Sequence, residues 1–192
     1  MARKSGSSSQ KTRPLVRAAA LRLFARDGYA AVSMRQIAAE VGVQAGALYR
    51  YTPDKQSLLF ELMQVHMEEL LAAWSDVAGD GSGLEQLDKF VRFHIHHHLD
   101  RVDAVFISYM ELRNLTPENF AVIEGLRADY ERILERILQD CGVTQDDGKM
   151  TTLAVLAMLT GVNTWYRDGG RLDRAAIAET YVGMVRRLIR AS

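Results

Sequence analysis

The sequence predicts an all-α protein of about nine helices, three short ones followed by a larger helical body. Three observations carry this. No alternating polar–apolar run of strand length occurs. Strings such as AAALRLF and LAVLAML repeat apolar residues at helical spacing. The chain has only three prolines in 192 residues, and Pro14, Pro53 and Pro117 each stand at a predicted helix start, where the missing N–H costs little.

Taken in order, residues 1–12 are rich in Ser, Gly and Lys and read as a flexible basic arm. From Pro14, the apolar residues Val16, Ala20, Leu23 and Phe24 mark one face of a helix that stops at Gly28. Ser33 with Gln36 three residues on has the spacing of a capping box, opening a second helix with Ile37, Ala38 and Val41 inward and Gly42 as its stop. VGVQAGALYRYTPDK then supplies a third helix, small at one end and aromatic and basic at the other. Thr52-Pro-Asp predicts an N-cap for a long helix from about Pro53 to Val77. A Gly-Asp-Gly-Ser-Gly break follows. Further helices are expected over about Leu84–Leu99, Asp103–Leu115, Thr116–Cys141, Asp146–Tyr166 and Asp173–Arg190.

The net charge of zero hides an asymmetry. Residues 1–55 hold ten Lys/Arg against three acids, and the remainder is negative by the same margin. A basic end on an acidic body points to a polyanion-binding module. One cysteine, Cys141, excludes an intramolecular disulfide and a multi-cysteine zinc site. The start has no apolar segment of signal-peptide type, and no run approaches the roughly 20 residues of a membrane-spanning helix. A cytoplasmic protein without membrane association is expected. No GxSxG, P-loop or dinucleotide motif is present, so no enzyme and no cofactor is expected.

Three short helices with a tight turn at Gly42-Val43 form a helix-turn-helix. Small residues at Ala45, Gly46 and Ala47 let a backbone approach DNA. Gln44 and Arg50 suit base edges or phosphate, and the hydroxyls of Tyr49 and Tyr51 suit phosphate oxygens. Lys55 is placed to meet the next phosphate.

FARDGYAAVSMRQIAAEVGVQAGALYRYTPDKQSLL resembles the DNA-binding domain of the TetR family of bacterial transcriptional regulators. Leu23, Phe24, Gly28, Tyr29, Ile37, Ala38, Gly42, Val43, Gly46, Leu48, Tyr49 and Lys55 stand where the family pattern places them. Gln44, Ala47 and Thr52 replace the Ser, Thr and Phe that the family often carries. The resemblance implies a DNA-binding domain over 13–56, with Ser33, Arg35, Gln44, Ala45, Tyr49, Arg50, Tyr51 and Lys55 at the DNA. It implies an effector-binding and dimerisation domain over 57–192, and a homodimer on a palindromic double-stranded operator, repressing until a small molecule releases it.

The helices over 146–166 and 173–190 offer the dimer surface, with Leu153, Leu156, Val182, Val185, Leu188 and Ile189 as its apolar contacts; an intramolecular core is the alternative cover for the same faces. Candidate effector-lining residues are Met63, Met67, Phe93, His94, His97, Phe106, Tyr109, Met110, Asn163 and Trp165, beside Phe90. FISYMELRNLTPENF and MLTGVNTWYRDGGRL resemble regulators of fatty-acid, sterol or aromatic catabolism, which implies a hydrophobic or acyl-CoA effector. Arg113, Arg167 and Arg171 would then meet its phosphates. An alternative is a metal-sensing or ligand-carrying helical protein using His94 and His98, one helical turn apart. His97 stands three residues from His94, but a firm site needs three or four ligands and no Cys or HExxH is nearby, so no metal is expected.

Overall fold

The structure, a computed structural model, describes residues 6–190, with backbone alone at 6–11. Among these residues there is no strand. Ten α-helices occur: α1 (Gly6–Asp27), α2 (Met34–Val41), α3 (Ala45–Leu48), α4 (Lys55–Val77), α5 (Gly83–Leu99), α6 (Val102–Met110), α7 (Pro117–Asp140), α8 (Gln145–Thr160), α9 (Val162–Trp165) and α10 (Arg174–Arg190), with a 3-10 turn at Leu112–Asn114. Two of them, α3 and α9, are single turns. The all-α expectation holds. No described helix is long and apolar enough to cross a membrane.

The chain packs as two compact units. One comprises the residues up to Met67 together with Asp103–Glu124, and the other Glu68–Val102 together with Gly125 onward. The first unit closes on the face read from α1: Val16, Ala20, Leu23 and Phe24 are buried, against Ile37 and Ala38 of α2 and Leu48 of α3. The helix starts earlier than Pro14, which lies inside α1. The polar residues before it are compatible with helix, so the proline removes one backbone bond without ending the segment. Of the expected arm, residues 1–5 lie outside the described residues.

The loop signals act as read. Gly28 and Gly42 take left-handed φ of 82° and 74°, a region open to glycine because it has no Cβ. Ser33 caps α2: the Gln36 N–H donates to its Oγ at 3.3 Å, and the Ser33 N–H donates to Gln36 Oε1 at 2.8 Å. Ser33→Ala should therefore lower unfolding free energy by about 1 kcal/mol, read from a denaturant curve.

In the second unit α5 is the central element, packed by α8, α9 and α10. Its Leu87, Phe90, Val91 and Ile95 are buried. Two ion pairs tie α10 to α5: Arg186 donates to both oxygens of Asp88 at 2.7 and 2.6 Å, and Arg92 to both of Glu179 at 2.5 and 2.9 Å. Bidentate geometry fixes register as well as distance.

Candidate functional site

The expected third helix is a single turn. The Ala47, Leu48 and Leu48 carbonyls then accept from the Arg50, Tyr51 and Thr52 N–H groups, so the chain turns rather than continuing as helix. Leu48, fully buried, anchors this turn, and its neighbours face outward: Gln44, Gly46, Tyr49 and Arg50 are exposed, while Ala45, Ala47 and Tyr51 are half-buried. Gln44 stands at the N-cap but its side chain makes no capping bond, so its amide is not spent on the helix end. Gly46 has an ordinary φ, and a Cβ built there would meet nothing within 4 Å. Nothing within the chain requires it to be small. The open space above Gly46 is what close approach of an external backbone needs. Arg35, on α2, is exposed as well.

Three residues differ from their expected roles. The Lys55 ammonium points inward, donating to the Tyr29 and Val32 carbonyls at 2.9 and 2.8 Å and lying 4.3 Å from the Tyr29 ring centre. It pins the α1–α2 loop instead of waiting for a phosphate. Thr52 is buried and is not the cap of α4; its hydroxyl donates to the Asp54 carbonyl at 3.0 Å. Asp54 is the cap, accepting the Ser57 N–H at 2.6 Å, because α4 begins only at Lys55. The Ser33 hydroxyl is likewise engaged by Gln36, donating to Oε1 at 2.7 Å.

The expected effector residues fall in both units. In the first, Met63 and Met67 are buried core, whereas Phe106, Tyr109 and Met110 leave 42–53% of their surface open and Arg113 is exposed. In the second, Phe90 is fully buried and belongs to the core, with Trp74, Phe93 and Tyr130 rings around it and beside it. His94 is buried with both ring nitrogens placed, Nδ1 at 3.2 Å from Tyr130 Oη and Nε2 at 3.1 Å from Thr160 Oγ1. It stacks on His98 at 3.8 Å. Among the described residues no group of three metal-ligating side chains converges. Asn163 has both amide atoms shielded from solvent and without a hydrogen-bond partner. Trp165 and Arg171 are exposed, and Arg167 donates to the Tyr166 carbonyl at 2.7 Å.

Residues 16–62 match the family of bacterial regulatory proteins named for tetR, and residues 80–189, more than half of the chain, match the tetracyclin repressor-like C-terminal domain. The chain belongs to the TetR family. That family is one of transcriptional regulators, and DNA binding by a helix-turn-helix goes with it. The chain is 25% identical over 188 residues to the HTH-type transcriptional repressor KstR2 of Rhodococcus jostii RHA1, covering 94% of this chain and 91% of that one. A tetR-family regulatory protein from Rhodococcus RHA1 superimposes with a TM-score of 0.86 at 29% identity, covering 93% and 97% of the two chains. AibR, solved in complex with isovaleryl coenzyme A and operator DNA, gives 0.78 at 28% identity, covering 90% and 97%.

In this TetR-family chain the expected dimer contacts divide. Leu156, Val182, Val185 and Ile189 are buried within their own subunit, whereas Leu153 and Leu188 are 40% exposed. An apolar helix has one face for its own core and one to spare, and the first four residues lie on the inner face. Met184, which the sequence places on the same apolar face of the last helix, and Met150, not singled out from the sequence, extend the open face. Also unforeseen is an open cleft of about 450 Å³ lined by Val77, Glu85, Asp88, Lys89, Arg92, Phe93 and His96. The α5 members recur three and four residues apart, a spacing visible in the sequence without any sign that it borders a cleft.

His97 is buried, and that burial pushes its imidazole down from 6.5 to about 4, with the Arg101 cation adding to the effect and Asp100 opposing it. The folded value lies below the unfolded one, so the unfolded chain binds the extra proton between them. Stability from this group is complete above about pH 6.5 and is lost as the pH falls toward 4. Between pH 7 and pH 5 the loss should be roughly 2 kcal/mol, and His97→Gln should remove it from the difference between unfolding curves at those two pH values.

Proposed function

We propose that the protein is a dimeric, cytoplasmic repressor, not an enzyme, that grips a palindromic operator and is released by a hydrophobic or acyl-CoA effector. The exposed set Gln44, Gly46, Tyr49 and Arg50 around the buried Leu48 carries this reading. Such a set offers donors to base edges and phosphates on a rigid anchor. Residues 13–56 read DNA through Arg35, Gln44, Ala45, Tyr49, Arg50 and Tyr51, with Ser33 and Lys55 holding the backbone from behind. Residues 57–192 bind effector and dimerise. The open apolar face of α8 and α10, with Met150, Leu153, Met184 and Leu188 exposed, is the surface that a second subunit covers. Two reading turns then face major grooves roughly 34–36 Å apart.

The effector class is supported by AibR, a relative solved with isovaleryl coenzyme A and operator DNA, and by the exposed apolar residues Phe106, Tyr109 and Met110. Arg113, in the same unit as that apolar surface, is an exposed cation for its phosphates. Release requires that the effector bind the non-gripping state more tightly; equal affinity for both states would shift nothing.

The test is fluorescence anisotropy of the full-length dimer on a labelled palindrome from its own upstream region. Binding should weaken with salt in proportion to the phosphates contacted, and isovaleryl-CoA should weaken it further by about tenfold or more. Flat calorimetric titrations against acyl-CoAs of several chain lengths would remove the acyl-CoA assignment. Absence of salt-sensitive DNA binding would remove the repressor.

A further inference from the structure

The loop joining α1 to α2 is held from outside itself, at both ends of one residue. Gly28 closes α1 with its N–H on the Phe24 carbonyl at 3.0 Å. The next N–H, that of Tyr29, donates to Glu111 Oε1 at 3.0 Å, a carboxylate 82 residues away in sequence. The Tyr29 carbonyl accepts from Lys55, and its ring lies under the same ammonium and edge-on to Phe24 at 5.2 Å. Glu111 is only 8% exposed. Its other oxygen accepts from Asn114 Nδ2 at 2.5 Å, and the Asn114 carbonyl accepts from Gln56 Nε2 at 2.6 Å. A carboxylate this buried is costly unless its oxygens are bonded. Here both are, and one of the bonds is to the backbone that leads into the reading module.

Glu111 directly follows α6, its N–H donating to the Ile107 carbonyl at 3.0 Å. That helix buries Val105, Ile107 and Ser108 and leaves Phe106, Tyr109 and Met110 open. Within one turn, therefore, the chain carries an apolar surface available to a ligand and a charged hydrogen bond to the loop before α2. An axial shift or rotation of α6 by about an ångström would take the 3.0 Å bond beyond hydrogen-bonding range.

We propose that Glu111 is a positioning residue for operator binding: its bond to the Tyr29 amide sets the reading module, and effector contact on α6 withdraws it. The second half rests on the effector reading above, while the first half stands without it. With the bond formed, Glu111 holds the Tyr29 N–H and Lys55 holds its carbonyl, and α2 leaves the loop in one direction. With it broken, a part-buried N–H and one oxygen of a buried carboxylate lose their partner, so the loop moves until they find others.

The experiment compares the full-length dimer with Glu111→Ala and Glu111→Gln, measuring operator affinity and hydrogen exchange at the Tyr29 amide, with isovaleryl-CoA as the probe. Glu111→Ala should bind operator about tenfold or more weakly and exchange the Tyr29 amide correspondingly faster. Glu111→Gln retains an oxygen acceptor and should stay within about threefold of the parent. In the parent, isovaleryl-CoA should speed Tyr29 exchange; in Glu111→Ala it should add little. Operator affinity of Glu111→Ala within about twofold of the parent would overturn the proposal. So would equal damage from Glu111→Gln, or isovaleryl-CoA binding that leaves Tyr29 exchange untouched. If the parent binds no acyl-CoA, the effector reading fails and the two operator affinities still decide the role of Glu111. If Glu111→Ala does not fold, the Glu111→Gln affinity and the parent's exchange decide it.

Discussion

Phe90→Ala should lower the unfolding free energy by about 3–5 kcal/mol, the largest stability loss expected from any single substitution discussed for this chain. Phe90 is fully buried at the middle of α5. Its ring meets Trp74 edge-on at 5.1 Å and 70°, and lies 5.2 Å from Tyr130 and 6.0 Å from His94. Truncation removes a large buried surface and three aromatic contacts. It also takes support from Tyr130, which is hydrogen-bonded to His94 and so helps fix that ring. The surrounding rings are too rigid to collapse fully into the gap, so a cavity term adds to the transfer term. Because the residue belongs to the second unit and the reading turn to the first, operator affinity should change little at temperatures where the variant remains folded. Chemical denaturation at 25 °C checks the first statement, and anisotropy at the same temperature the second. A loss below about 1 kcal/mol would mean that Phe90 borders an effector cavity able to collapse, as its place among the candidate lining residues implied.

What the sequence revealed and what it concealed divides along contact distance. Helix stops and caps lie within four residues of their partners, so Ser33 with Gln36, Gly28 and Gly42 were readable, as was Thr116, whose Oγ1 accepts the Asn119 N–H at 3.3 Å. The start of α4 was misplaced because Thr52 and Asp54 are both good caps, and only burial of Thr52 decides between them. Periodicity showed that α8 and α10 are apolar, but it does not say which face meets the chain's own core. Leu156 and Val185 went inward while Leu153 and Leu188 stayed open for that reason. The two residues that grip Tyr29 were hidden for a stronger one. Lys55 lies 23–26 residues from its carbonyls and Glu111 lies 82 from its amide. A cation facing solvent and one turned inward have the same letter, and a lone acid after α6 forms no motif.

That ambiguity makes Lys55→Met the most discriminating substitution in the reading module when set beside Arg50→Ala. Lys55→Met should cost about 3 kcal/mol of stability, since it strips two backbone carbonyls of a charged donor and the Tyr29 ring of its cation. Operator affinity should fall as well, because the loop before α2 loosens, but the slope of log affinity against log salt should stay unchanged. A phosphate contact behaves in the opposite way: its loss lowers that slope by about one and leaves melting alone. Arg50→Ala should show this second pattern, since Arg50 is exposed and sits beside the anchored turn. Its affinity loss should be about tenfold to a hundredfold, with the dimer and effector affinity intact. Thermal melting and salt titration of both variants therefore separate a residue that shapes the reading surface from one that touches DNA. A reduced salt slope for Lys55→Met at unchanged stability would return that lysine to the phosphate backbone. An unchanged operator affinity for Arg50→Ala would move the reading surface away from the turn that follows α3.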